Sequence, residues 1–149
     1  MPFDQKNEET HSQIMRFTNE GGIAVPFYNQ TGGVSVRGTC VSLSAPWTVA
    51  KTTLNVPDCM GIVYEDGTPV GEKMWVVISG ITPVLFSTAV TAGFFARTPI
   101  TADGGTAGSA ISEVISTTPF ANDKFMCEIG HCIETKAAPG LANVNLHFN

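Results

Sequence analysis

The sequence predicts an all-β protein, a barrel or sandwich with few helices. Two observations carry this prediction. From residue 22 onward the chain runs in short segments rich in Val, Ile, Phe, Tyr, Trp and Thr, which favour strands. Gly, Pro, Asn and Asp separate these segments and mark turns about every ten residues. A chain of 149 residues fits one domain, which we divide into an N-terminal arm, 1–21, and a β domain, 22–149.

Eight segments have the composition of strands. In chain order they are IAVPFYN (23–29), VSVRGTCVSLS (34–44), CMGIVYED (59–66), EKMWVVISG (72–80), TPVLFST (82–88), GFFARTP (93–99), FMCEIGHCIET (125–135) and ANVNLHFN (142–149). In residues 34–44 apolar side chains alternate with polar ones, as expected for a strand with one buried face.

The predicted arm is polar and acidic. The side chains that it offers to a core are few: Phe3, Ile14, Met15 and Phe17. A short amphipathic helix near residues 10–18, ended by Gly21 and Gly22, is one interpretation. An extended arm is the other, because terminal segments stay loose unless a partner holds them.

Residues 98–124 are rich in Thr, Ala, Gly and Ser and predict one long surface loop. A short helix or edge strand fits the segment AISEVIS, residues 110–116. Loops of this length inside a compact domain are uncommon and often bind a partner. A variable loop without a role is the alternative interpretation.

Residues 60–80 align without a gap with residues 129–149, and Gly61 meets Gly130. Each copy has a strand, a turn region with Gly or Pro, and a returning strand of alternating polarity. The alignment therefore predicts two copies of one β-hairpin. A glycine just inside a strand often marks a bulge or a close backbone approach.

The segment MCEIGHCIET places Cys127 and Cys132 around His131. On a strand His131 and Cys132 point to opposite faces, and Cys127 lies about 13 Å from His131. The first copy of the hairpin carries Ile62 and Val63 at the positions of His131 and Cys132. Further ligands would have to converge through the fold from His11, Cys40, Cys59 and His147. We therefore predict no metal site, no catalytic residue, no cofactor and four reduced cysteines.

Charge and hydropathy argue against several classes of partner. The net charge is −5 and the eight Lys and Arg residues are scattered, so we predict no nucleic-acid binding. Because no apolar run reaches the ~20 residues of a membrane helix, we predict no membrane contact. The polar N-terminus is unlike a secretory signal, which predicts a protein made in the cytoplasm. No phosphate-binding loop and no G-x-S-x-G motif occurs, so we predict that the chain is not an enzyme.

Two aromatic pairs stand out as surface candidates. In Phe94–Phe95 and in Phe27–Tyr28, one side chain of each pair should face the core and the other should face away. An outward aromatic ring is either covered within the chain or offered to a partner. The sequence leaves both possibilities open.

Three segments resemble small phage-encoded head decoration proteins, also called capsid cement proteins. They are VRGTCVSLS (36–44), MGIVYEDGTPVGEKMWVVISGITPVLF (60–86) and EIGHCIETKAAPGLANVNLHFN (128–149). The resemblance covers about residues 36–149, with a loose match over 98–124. Its motifs are those of a β fold rather than of a catalytic site.

The resemblance implies a compact β-barrel or β-tulip-like domain, built from short hairpins, on the outer surface of a virion. It also implies a homotrimer that braces the major capsid protein, with terminal arms extended onto the shell. The residues expected at the capsid or oligomer interface are Phe3, Ile14, Phe17, Phe27, Tyr28, Phe94 and Phe95.

Two other functions compete with this one. A ligand-binding or glycan-binding β-module of a tail or surface structure would bind near Trp75, Tyr28 or Phe94. A thiol or zinc enzyme would use Cys127, His131, Cys132 or His147, and partner strands could bring His147 close to Cys127 or Cys132. The sequence gives no positive sign of catalysis, so the structural protein is the preferred interpretation.

Overall fold

The structure is a computed structural model that describes residues 14–114 and 126–148. Within these residues it contains ten strands and one 3-10 helix (Thr101–Asp103), so the all-β prediction is confirmed. The strands are β1 (Arg16–Phe17), β2 (Gly22–Asn29), β3 (Cys40–Ala45), β4 (Thr48–Lys51), β5 (Gly61–Val63), β6 (Lys73–Phe86), β7 (Phe95–Arg97), β8 (Ile111–Glu113), β9 (Glu128–Cys132) and β10 (Gly140–Leu146).

Five strands close into a ring in the order β2-β4-β3-β5-β6, because β6 pairs with β2 as well as with β5. The contact between β2 and β4 is parallel, and the other contacts in the ring are antiparallel. A ring removes unpaired strand edges, which are sites of unwanted association. The first half of the chain thus forms a small closed unit.

Strand β6 is 14 residues long, and its C-terminal half continues beyond the ring to pair with β10. Strands β9, β7 and β8 follow in the sheet order. Phe86 at the end of β6 forms a bridge with Ala110, just before β8. The ten strands therefore form one sheet that is partly closed, rather than the single complete barrel that the family resemblance implies.

Two apolar clusters fill the two halves of the molecule. The cluster inside the ring consists of Phe27, Val41, Val49, Val63, Met74 and Val76. The larger cluster lies on the other side of β6 and includes Ile62, Val84, Phe86, Ile129 and Val144. Neighbouring residues of β6, such as Val76 and Val77, are buried in different clusters, so this strand has apolar partners on both faces.

Two predicted strands, 72–80 and 82–88, form the single strand β6, although Pro83 interrupts the second. The N–H of Leu85 donates to the carbonyl of Gly38 at 2.9 Å, on the side of β6 that faces away from β10. By the alternation of a strand, the nitrogen of Pro83 points to that same side. The ladder with β10 therefore loses no hydrogen bond at the proline.

The predicted strand 34–44 forms a strand only from Cys40 onward. Val34 and Val36 are exposed and Ser35 between them is buried, so in this stretch the apolar residues do not face the core. Strand β4 lies outside the predicted strand segments, and β3 reaches it through a turn at Pro46–Trp47 where Trp47 has a φ of 55°.

The two predicted hairpins exist, but their registers differ. In β5–β6, Ile62 lies opposite Val77. The aligned residue His131 lies opposite Asn145 in β9–β10, one residue short of Leu146, the counterpart of Val77. The two predicted hairpins are therefore confirmed, and the second is paired one residue out of register with the first.

A buried arginine organises the first part of the predicted long loop. Arg97 is fully buried and donates to the carboxylates of Asp103 and Glu113, each at 2.7 Å. Burial alone would lower the pKa of Arg97, but the hydrogen bonds and charges of these two carboxylates outweigh it and raise the pKa. Residues 98–114 hence contain the 3-10 helix and β8, and residues 115–125 lie outside the described residues.

Candidate functional site

Residues 14–21 of the predicted arm, which we call the arm root, lie along the edge of β2. Arg16 pairs with Ala24 and Phe17 pairs with Ile23 in an antiparallel ladder. The N–H of Thr18 donates to the carbonyl of Gly22 at 2.9 Å and closes the turn between β1 and β2. In this part of the arm the extended interpretation is correct. The first four residues of the predicted helix, 10–13, lie outside the described residues.

The side chain of Arg16 attaches the arm root to the ring. Its guanidinium lies 4.8 Å from the ring centroid of Trp75 and 5.1 Å from that of Tyr64. Arg37 lies over Tyr64 as well, at 4.9 Å. Each such cation–π contact contributes roughly 0.5–1 kcal/mol at exposed sites.

Glu20 completes this attachment at the turn after β1. Its carboxylate accepts hydrogen bonds from Arg37 at 2.5 Å and from the hydroxyl of Tyr64 at 3.1 Å. Partial burial raises the pKa of Glu20, but hydrogen bonds from its own backbone, Tyr64 and Arg37, with the charge of Arg37, outweigh it and lower the pKa. The arm root is therefore held by charged and aromatic contacts rather than by apolar burial.

The apolar residues of the arm root face solvent. The exposed fractions are 51% for Ile14, 55% for Met15 and 78% for Phe17. Because Arg16 is directed toward Trp75, its neighbours Met15 and Phe17 are directed outward from a strand at the end of the sheet order. Exposed apolar side chains on an edge strand have the features that a protein uses to pair with another chain.

Two of the predicted interface residues belong to the core instead. Phe27 is buried inside the ring, and Phe95 is buried where β7 pairs with β8 and β9. Alternation along the strand explains this, since the neighbour of each, Tyr28 or Phe94, takes the more exposed position. Phe27 and Phe95 are therefore corrected from interface to core residues, and Phe3 lies outside the described residues.

The remaining predicted interface residues do not form one surface. Tyr28 is exposed at the far end of β2, five residues or about 16 Å from Ile23, which pairs with Phe17. Lys73 lies over the Tyr28 ring at 5.4 Å. Phe94 is half-buried next to β7, in the other half of the molecule. Ile14 and Phe17 are both exposed and both belong to the arm root.

The four cysteines are free thiols. Cys40, Cys127 and Cys132 are buried, and Cys59 is half-buried. Burial raises the pKa of Cys132, and a hydrogen bond with Cys59 together with burial raises that of Cys40. The thiolate form, which is the nucleophile, is therefore disfavoured at both positions.

Three polar side chains converge at the open end of the β9–β10 hairpin, and we call them the histidine cluster. Nδ1 of His131 lies 2.5 Å from Nε2 of His147. Oε1 of Glu128 lies 3.5 Å from Nε2 of His147 and 3.9 Å from Nδ1 of His131. Both histidines are among the sequence candidates for a metal site, whereas Glu128 is not.

Comparison with known protein families and with curated proteins does not indicate a function for this chain. A scan against models of protein families found no match, and a search of curated proteins found no significant match. Over residues 14–114 and 126–148, no helix is long and apolar enough to cross a bilayer. The geometry of the chain itself is therefore the basis for a functional assignment.

Proposed function

We propose that this chain is a structural protein of a phage virion that binds the outer capsid surface and stabilises the shell lattice. Its partner is the major capsid protein, and it acts as a homotrimer. The resemblance of residues 36–149 to capsid cement proteins supports this function. In this role the protein needs no catalytic residue and no cofactor.

The arm root is the observation that carries the proposal. It exposes Phe17 on the short strand β1, and Ile14 and Met15 just before it, while Arg16 and Glu20 hold this segment on the ring. A fixed edge strand can add to a sheet of another chain through backbone hydrogen bonds, while its apolar side chains fill pockets there. Pre-ordering of the strand reduces the conformational entropy that binding would otherwise cost.

Oligomerisation would strengthen a weak contact. If three arms of one trimer bind one lattice, the second and third contacts form at a high effective concentration, so overall affinity exceeds that of a single arm. The net charge of −5 also supports a place outside the shell, since an acidic surface does not capture nucleic acid.

A glycan-binding module is supported less well by the aromatic residues. Sugars stack on open aromatic faces, but the guanidinium of Arg16 already lies 4.8 Å from the Trp75 ring. The ammonium of Lys73 lies 5.4 Å from the ring of Tyr28. Two of the three aromatic residues suggested for a ligand therefore have a cation on one face.

The first test is quantitative mass spectrometry of gradient-purified particles from the source. It compares the copy number of this chain with that of the major capsid protein. We expect comparable abundance, as required for binding across the lattice. Absence from particles would reject the proposal, and a few copies per particle would replace it with a vertex, portal or tail role.

The second test concerns the arm root. We expect Met15→Ser with Phe17→Ser to weaken binding to undecorated capsids at least about tenfold, since two large apolar contacts are lost. The matched control is Val34→Ser, which removes an exposed apolar side chain from a different loop. Equal binding by the control and the double variant would show that the arm root is not the contact.

A further inference from the structure

The histidine cluster is held by the backbone of the hairpin rather than by flexible loops. His131 lies in β9 opposite Asn145 of β10. His147 lies two residues beyond Asn145, and its N–H donates to the carbonyl of Ile129 at 3.0 Å. Both imidazoles therefore project from the same face of a paired ladder. Their ring centroids are 4.6 Å apart.

The third member of the cluster is a nearly buried carboxylate. The Glu128 side chain is 9% exposed, while the side chains of His131 and His147 are 45% and 43% exposed. The potential ligand atoms of the three residues all lie within 4.8 Å of one another. The carboxylate therefore lies on the buried side of the cluster, and the two imidazoles lie on its solvent-exposed side.

Two imidazole nitrogens that face each other at 2.5 Å need either one shared hydrogen or a metal ion between or beside them. If neither carries a proton there, their lone pairs repel, and if both do, the two N–H groups clash. A proton on one nitrogen satisfies the pair. A metal ion satisfies both nitrogens and the carboxylate of Glu128 at once.

We propose that Glu128, His131 and His147 bind one divalent transition-metal ion, with zinc as the best fit. Two imidazoles and one carboxylate are a ligand set that zinc uses when its fourth position is open. Because one side of the cluster is exposed, a water molecule would occupy the fourth coordination position. This inference does not depend on capsid binding.

The distances are close to those of a tetrahedral site. Metal–ligand bonds of about 2.0–2.1 Å separate neighbouring ligand atoms by about 3.3 Å. The 3.5 Å between Glu128 and His147 already fits, and 3.9 Å between Glu128 and His131 needs a small closure. The two imidazole nitrogens must separate by just under 1 Å, which half-exposed rings achieve by rotation about their side-chain bonds.

The experiment measures zinc binding to the full-length chain by competition with a chromogenic chelator. We expect one zinc ion per chain, and we expect His131→Ala and His147→Ala each to lower the affinity at least about tenfold. Loss of a group that only orients a metal ligand already costs 10–100-fold, so loss of a ligand should cost at least as much. Added zinc should also raise the Tm of the native protein and not that of His147→Ala.

Two controls separate this site from other zinc ligands. His11→Ala removes the remaining histidine of the chain, and Cys59→Ser removes the half-buried thiol. Both should bind zinc like the native protein. Substitution with cobalt should give a spectrum without the intense near-ultraviolet band that thiolate ligands produce.

Either of two results would overturn the proposal. One is the absence of stoichiometric zinc binding in the native protein, which would leave the cluster as a hydrogen-bonded histidine pair. The other is unchanged affinity in His131→Ala and His147→Ala, with loss of affinity in His11→Ala or Cys59→Ser. Because both histidines are half-exposed, their replacement by alanine should leave the fold intact, which circular dichroism would verify.

Discussion

The terminal nitrogens of Arg97 donate separately to the two carboxylate oxygens of Asp103, at 2.7 and 2.9 Å. Such a bidentate pair fixes orientation as well as distance. Asp103 also accepts the N–H of Ile100 at 2.8 Å and so begins the 3-10 helix. One aspartate therefore connects strand β7 to the loop that follows it.

We expect Asp103→Asn to destabilise the fold by about 3 kcal/mol, because it leaves a buried guanidinium with an incomplete set of partners. The measurement is equilibrium unfolding in urea. The control is Lys136→Gln, which removes a more exposed ion pair with Glu134 at 3.8 Å and should cost less than about 1 kcal/mol. Equal effects of the two variants would mean that Asp103 is not a structural anchor.

The two aligned glycines should respond differently to alanine. A Cβ at Gly130 would overlap the backbone carbonyl of Asn145, which is fixed in the ladder, whereas one at Gly61 would first meet a methyl group of Val76. We expect Gly130→Ala to cost about 3 kcal/mol and Gly61→Ala about 1 kcal/mol. Thermal unfolding of both variants would test this, and a larger loss for Gly61→Ala would contradict it.

The attachment of the arm root should weaken in acid. Because the pKa of Glu20 in the folded protein lies below the usual value of 4.5, its contribution to stability is present above pH 4.5. This contribution is lost as the pH falls through the folded-state pKa. We therefore expect the free energies of unfolding of the native protein and Glu20→Gln to differ near neutral pH and to converge in acid. A difference that is independent of pH would refute this assignment.

The thiols should react in two stages with an aromatic disulfide reagent. Cys59 is half-buried and should react in the native protein, whereas the buried Cys40, Cys127 and Cys132 should react only as the protein unfolds. Cys59→Ser should abolish the first stage and leave the second unchanged. Rapid reaction of several thiols in the native state would contradict the burial of these residues.

Local patterns in the sequence predicted much of this fold. Strand composition located most strands, and alternation predicted that one residue in each aromatic pair faces inward, as Phe27 and Phe95 do. These features depend on residues close in the chain, so they can be inferred without knowledge of the pairing. The same reasoning does not say which outward residue meets a partner.

Features that depend on distant pairing were not predictable. With the register of the first hairpin, His131 would lie opposite Leu146, and His147 would point to the other face of the sheet. The observed shift of one residue places His131 opposite Asn145 and His147 on the same face. Likewise, Arg97 gave no sequence signal beyond a charge within an apolar segment, because its partners come from a loop and from β8.

Strand β6 pairs with strands from both ends of the chain, and this has a consequence for biosynthesis. Its first half pairs with β2, which precedes it, but its second half pairs with β10, which ends at Leu146. During translation the ring strands leave the ribosome early, while Val84 and Phe86 must wait for β10 before they are covered. The nascent chain therefore carries an unpaired apolar strand edge until β10 becomes available, and such an edge makes incomplete chains prone to aggregation.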